Sequence, residues 1–128
     1  MKTSAIAISL LALSASACAA PVRCPVSLSD AGARAAATLV DVWVLSYPAS
    51  EKRPPVGEAQ PISAPDEERP TSRGIELVWH LDDAPGYLNQ VECHYKGRAE
   101  PLGFNLVAAR KCIGQVSKKG VWLSFACE

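Results

Sequence analysis

The sequence has no surplus of charge of either sign. Thirteen basic residues balance thirteen acidic ones over 128 residues, which removes the electrostatic footprint of a nucleic-acid binder or of a polybasic membrane-surface protein. Histidine is scarce, with only His80 and His94. The chain contains no His-Glu-x-x-His, no Gly-x-Ser-x-Gly, no phosphate-binding loop and no Ser-x-x-Lys, so it offers no assembled set for nucleophilic or metal-assisted catalysis and implies no cofactor. Its longest early apolar run, Ala5 to Leu13, is nine residues, about half of what a helix needs to cross a membrane. Internal repeats are absent. What remains, at 48% hydrophobic and 20% charged residues, is the composition of one small globular domain.

The N-terminus reads as an export address. Lys2 supplies the positive region, Ala5 to Leu13 the apolar region, and small residues follow from Ser14 to Ala20, the order of a secretory signal peptide. Two cleavage chemistries fit. Ala17-Cys18-Ala19 suits an ordinary signal peptidase and would leave a mature domain of residues 20–128. Ala15-Ser16-Ala17-Cys18 is close to a lipoprotein box, with Ala15 where Leu is usual; Cys18 would then be an acylated anchor, and only in that case would the protein meet a membrane. Both schemes avoid leaving an odd free thiol in an oxidising compartment.

Four cysteines remain after export. About 109 residues bury roughly two-thirds of the unfolded chain's surface, few enough that cross-links matter. The segment Cys112 to Cys127 reads as a hairpin around Ser117-Lys118-Lys119-Gly120, which brings Cys112 and Cys127 together and leaves Cys24 for Cys93. Zinc is the rival reading of four cysteines, but the spacing 24, 93, 112, 127 contains no Cys-x-x-Cys knuckle. No metal is expected.

Alternation dominates the rest. Ile75, Leu77, Trp79 and Leu81 share one phase against Glu76, Val78 and His80, the period of a half-buried strand. After the turn residues 82–86, Val91, Cys93 and Tyr95 alternate with Gln90, Glu92 and His94, and the two segments read as a hairpin. Leu39 to Tyr47 is apolar on both faces, as in the centre of a sandwich. Leu102, Phe104 and Leu106 continue the series and Val26 to Leu28 begins it, while Ala31 to Ala37 has room for a helical turn or two. The expected fold is all-β, a small antiparallel sandwich or curled sheet of five to seven strands with two disulfides.

Residues 48–74 interrupt this pattern. They hold six of the ten prolines, so they form no interior strand, and at 27 residues they exceed an ordinary loop. The segment is either a solvated insertion covering a sheet edge or a recognition loop, in which Lys52, Arg53, Asp66, Glu67 and Glu68 rim the apolar Val56 and Ile62. Glu76, His80, Glu92 and His94 would share the polar face of the proposed hairpin, most simply as a solvated face. Trp122 falls in the phase opposite Leu123, Phe125 and Cys127. It is either an exposed anchor for a partner or buried by a second layer.

Cys24-Pro25, the apolar strand before the Pro-rich stretch, Leu77-Val78-Trp79-His80-Leu81, Val91-Glu92-Cys93-His94-Tyr95 with Gly97, and the pair Cys112 and Cys127 together give a pattern. It resembles a family of small exported bacterial proteins of unknown function, some encoded beside type VI secretion genes for cell-wall-degrading effectors. The resemblance implies a periplasmic protein that partners a cell-wall-active enzyme, as an immunity protein or inhibitor acting by occlusion; a small hydrolase is disfavoured because the catalytic sets are missing. A structural or accessory envelope lipoprotein is the alternative. No functional residue is carried over from the family.

Overall fold

The computed structural model describes residues 21–29, 36–82 and 85–128. The export segment with Cys18, residues 30–35 of the Ala-rich stretch, and Asp83–Ala84 lie outside the described residues. The alternating segments form strands β1 (Val22–Arg23), β2 (Ser27–Leu28), β3 (Ala37–Pro48), β4 (Glu67–Pro70), β5 (Gly74–His80), β6 (Tyr87–Tyr95), β7 (Leu102–Asn105), β8 (Lys111–Ser117) and β9 (Trp122–Cys127). They build two antiparallel sheets, ordered β1-β9-β8-β5-β4 and β2-β3-β6-β7. Val42, Val44 and Val91 of one sheet share a core with Trp79 and Phe125 of the other, so the fold is the expected all-β sandwich. The strands beyond seven are β1 and β4, two and four residues long, too short for a two-residue period to register.

β3 explains its own apolar character. Val42 and Val44 turn into the core, while Leu45, on the opposite face, is also fully buried. The cover on that face includes Arg53, which reaches Glu92 on the adjacent β6. A bulge at Val40, between the pairs Leu39–Tyr95 and Asp41–His94, lets Leu39 and Val42 both face inward although three positions separate them.

Two expectations about pairing change. β5 and β6 do not form a hairpin: β5 pairs with β4 and β8, and β6 pairs with β3 and β7. β5 and β6, consecutive in the chain, therefore lie in different sheets. Alternation reports which face of a strand is buried and carries no information on its neighbour, so the turn composition was compatible with either route. The phase of Trp122 also changes. The register runs from Gln115–Ser124 to Val116–Trp122, so Leu123 is an extra residue, and this bulge returns Trp122 to the face of Phe125. The two rings meet edge-on at 6.2 Å, and Trp122 packs against the core.

The Pro-rich stretch is neither a structureless loop nor an interior strand. Leu45 bridges Ile62, with Ser46 N donating to Pro61 O at 3.2 Å and Ser63 N to Val44 O at 2.7 Å. Three residues further on, Asp66 N donates to Val78 O and β4 begins along the free edge of β5. Residues 61–70 are therefore a strap that leaves one sheet and joins the other, with Pro70 tolerated on an edge strand.

Both expected disulfides are present. Cys112–Cys127 staples the directly opposed positions of β8 and β9. Cys24 donates its N–H to Phe125 O in one sheet and bonds Cys93 in the other, so it ties the layers together. Tyr95 Oη donates to Pro25 O beside it at 2.6 Å. Two disulfides fit an oxidising compartment outside the cytoplasm.

Candidate functional site

Where the strap passes between the sheets it leaves a groove of about 440 Å³. All three tryptophans of the chain line it, together with Asp41, Glu68 and Leu77. Each indole arrives by a different local rule. Trp79 stands in the inward phase of β5 and donates Nε1–H to the strap carbonyl of Ser63 at 3.1 Å, so a buried polar group is satisfied and the strap is fixed at one stroke. Trp122 is brought inward by the β9 bulge and lies on Gly114, where a Cβ would come within 2.7 Å of its ring. Trp43 is on the outer phase of β3 and donates Nε1–H to Asp41 Oδ2 at 2.9 Å, while Asp41 Oδ1 accepts the N–H of Val42 at 2.9 Å. One carboxylate two positions back on the same strand face thus orients the ring.

Beside Trp43, on the same outer face and directly across from it on β6, Glu92 is held by an ion pair. Arg53 donates to both carboxylate oxygens of Glu92, with Nη2–Oε1 at 3.0 Å and a shorter contact between Nη1 and Oε2. Arg53 is oriented in turn by Gln60, which accepts its Nε–H at 2.8 Å. The Gln60 amide donates to the carbonyls of Pro54, Pro55 and Glu58, so one glutamine organises the whole turn. Glu92 is only 7% exposed. The Arg53 hydrogen bonds hold its carboxyl below the usual carboxylate range against the opposing effect of burial, and Glu92 raises Arg53 in return. His94 packs against Trp43 with ring centroids 4.2 Å apart. Its Nε2 is buried, without a hydrogen-bond partner among the described residues, 3.4 Å from Glu92 Oε1. The pair therefore stands directly behind one wall of the groove.

The four-residue polar face expected from the sequence is divided. Glu76 and His80 lie on β5 in one sheet and Glu92 and His94 on β6 in the other. The first two belong to a network that runs from exposed to half-buried: His80 Nε2 meets Glu67 at 2.9 Å, Arg69 donates to Glu67 at 2.8 Å, and Gln115 donates to the half-buried Glu76 at 2.7 Å. Hydrogen bonding from Arg69, then from His80, lowers Glu67. Glu92 is buried beneath its contact with Arg53, whereas His94 packs on Trp43 and keeps about a quarter of its side chain exposed, so the two do not form a simple solvated face. Among the described residues no group of three His, Cys, Asp or Glu side chains is arranged to hold a metal ion.

Of the suggested partner-binding residues, Ile62 and Trp122 meet at the groove. Glu67 pairs along the outer edge of β5, and its neighbour Glu68 takes the place at the groove. Val56 is 101% exposed and does not line the groove. Sequence reasoning missed Asp41 and Trp43. The signal was the i, i+2 spacing of a carboxylate and an indole on one strand face, obscured because the whole segment reads as apolar. Comparison with protein-family models, with curated proteins and with solved structures finds no match.

Proposed function

We propose that the protein is an exported, periplasmic binding protein that acts as an immunity protein or inhibitor of a cell-wall-targeting enzyme. The observation that carries this reading is the preformed groove, in which three indoles are oriented by hydrogen bonds and packing before any partner arrives. Tryptophans in a fixed, partly desolvated setting are the usual anchors of protein interfaces, and fixing them beforehand lowers the ordering cost of association. The disulfides and the strap make the frame rigid, so the mechanism is occlusion of the enzyme's cleft. The resemblance to small exported proteins encoded beside cell-wall effectors supports the choice of target.

The test is a wall-digestion assay. Purified mature protein is added to peptidoglycan sacculi with a muramidase, an amidase or a wall peptidase, and release of soluble fragments is followed. Stoichiometric slowing of one enzyme class is expected. Protein that leaves all three classes at full rate yet sediments with the sacculi would replace inhibition with an accessory envelope role.

A further inference from the structure

We infer that the groove receives a single basic side chain, arginine or lysine, projecting from the protein partner. The inference deepens the reading above and rests on it only for the partner being a protein.

The lining decides the chemistry. Trp43 and Trp79 have already committed their indole N–H groups, to Asp41 and to the Ser63 carbonyl. These rings therefore offer π-faces and edges, not donors. The remaining charged groups are two carboxylates, Asp41 and Glu68, and among the described residues no basic side chain lines the groove. Neither carboxylate forms an ion pair among the described residues: the arginines nearby in sequence and space, Arg53 and Arg69, are taken by Glu92 and by Glu67 with Glu76. The two negative charges of the groove thus have no ion-pair partner among the described residues, although acidic and basic residues are equal in number over the whole chain.

A cation is the complement of such a surface. A guanidinium or ammonium group is attracted to an indole face by the ring quadrupole and to a carboxylate by charge, and its methylene stem packs on Leu77 and the rings. Arginine fits better than lysine because its planar head stacks and forks at once. A sugar ring also stacks on indoles. Its hydroxyls, however, need donors as well as acceptors, and the groove's charged and aromatic groups supply mainly acceptors.

The experiment titrates isotopically labelled full-length mature protein with N-acetyl-arginine amide, N-acetyl-glutamine amide and a chitin trisaccharide, following the three indole N–H signals by NMR. Saturable shifts of Trp43 and Trp122 with the arginine probe alone are expected. Glu68→Gln, a change at an exposed side chain, should weaken that binding about threefold, the worth of one exposed charge contact. Shifts that never saturate, that are the same for the glutamine probe, or that survive unweakened in both Glu68→Gln and Asp41→Asn overturn the proposal; saturation by the trisaccharide alone replaces it with glycan binding. The wall-digestion assay fails separately. Inhibition that persists in Glu68→Lys keeps the function and removes the groove, whereas arginine binding without inhibition of any wall enzyme keeps the groove and removes the function.

Discussion

Arg53 and Glu92, 39 residues apart in sequence, meet through both guanidinium Nη atoms and both carboxylate oxygens. The contact fastens the start of the Pro-rich segment to the middle of β6. Removing the arginine alone leaves a buried carboxylate without its cation, which costs more than losing the pair together. Arg53→Ala should lower stability by about 2 kcal/mol, less than for a fully buried pair because Arg53 keeps some solvent contact. Arg53→Met with Glu92→Leu should recover most of that loss. Urea unfolding of the three proteins measures both values, and a double variant no better than Arg53→Ala would refute the account.

Acid should loosen the same contact. The Glu92 carboxyl titrates lower in the folded protein than in the unfolded chain, so its contribution is complete above the ordinary carboxylate value of about 4.3 and is lost as pH falls through the depressed folded value. The stability of the natural chain should therefore drop more steeply below about pH 4.5 than that of Glu92→Gln. Parallel curves of urea midpoint against pH would show that Glu92 is not the group responsible.

Two glycines are required by closeness of approach, and they should differ. A Cβ on Gly114 would lie 2.7 Å from the Trp122 ring, whereas one on Gly74 would lie 2.0 Å from the backbone oxygen of Val116. The side chain has room to shift; the β5–β8 ladder has little. Gly114→Ala should cost about 1–2 kcal/mol and redden or broaden Trp122 fluorescence, while Gly74→Ala should cost about 3 kcal/mol or more. The reverse order in thermal melts would count against the described β9 bulge.

The disulfides close loops of different length, with separations of 69 and 15 residues. On the chain-entropy relation they contribute about 4 and about 3 kcal/mol. The Cys24–Cys93 pair also joins the two sheets, so replacing both of its cysteines by serine should destabilise more than replacing Cys112 and Cys127. Guanidinium unfolding of the two double variants decides the order.

Replacing Glu51 to Arg69 by a short linker would delete the Ile62 bridge, Arg53 and most of β4, and should leave the chain unfolded or close to it. A cut confined to residues 55–58, between Arg53 and Gln60, removes the exposed Val56 and spares both anchors. It should lower stability by about 1 kcal/mol, the loss of local hydrogen bonds alone, and leave the arginine titration unchanged. Circular dichroism melts with the NMR titration test both statements.

What could be read from residues alone follows from the range of the signals. The strand at Ile75 to Leu81 announces itself because its period is local, and the Cys112–Cys127 pair because a short turn separates its arms. That left one partner for Cys24. The route of the chain after Leu81 depends on which sheet accepts the next strand, a matter of packing between distant segments. Trp122 was misplaced by one inserted residue, since a bulge reverses every later phase assignment. The strap was hidden for another reason: proline content argues against a central strand but leaves an edge strand open, and β4 is an edge. The groove needs all of these placements at once.

The order in which the chain visits its sheets has a consequence for the groove. After β1, strands come in consecutive pairs, β2–β3, β4–β5, β6–β7 and β8–β9, each pair in the sheet opposite the one before. A two-stranded unit is at best marginal by itself in water. The groove takes Trp43 from the first pair, Glu68 and Trp79 from the second, and Trp122 from the last, so no fragment and no half-assembled sandwich carries it. If the groove is the binding site we propose, recognition requires completed assembly: a nicked or partly oxidised chain that fails to close the sandwich would be silent instead of weakly competent.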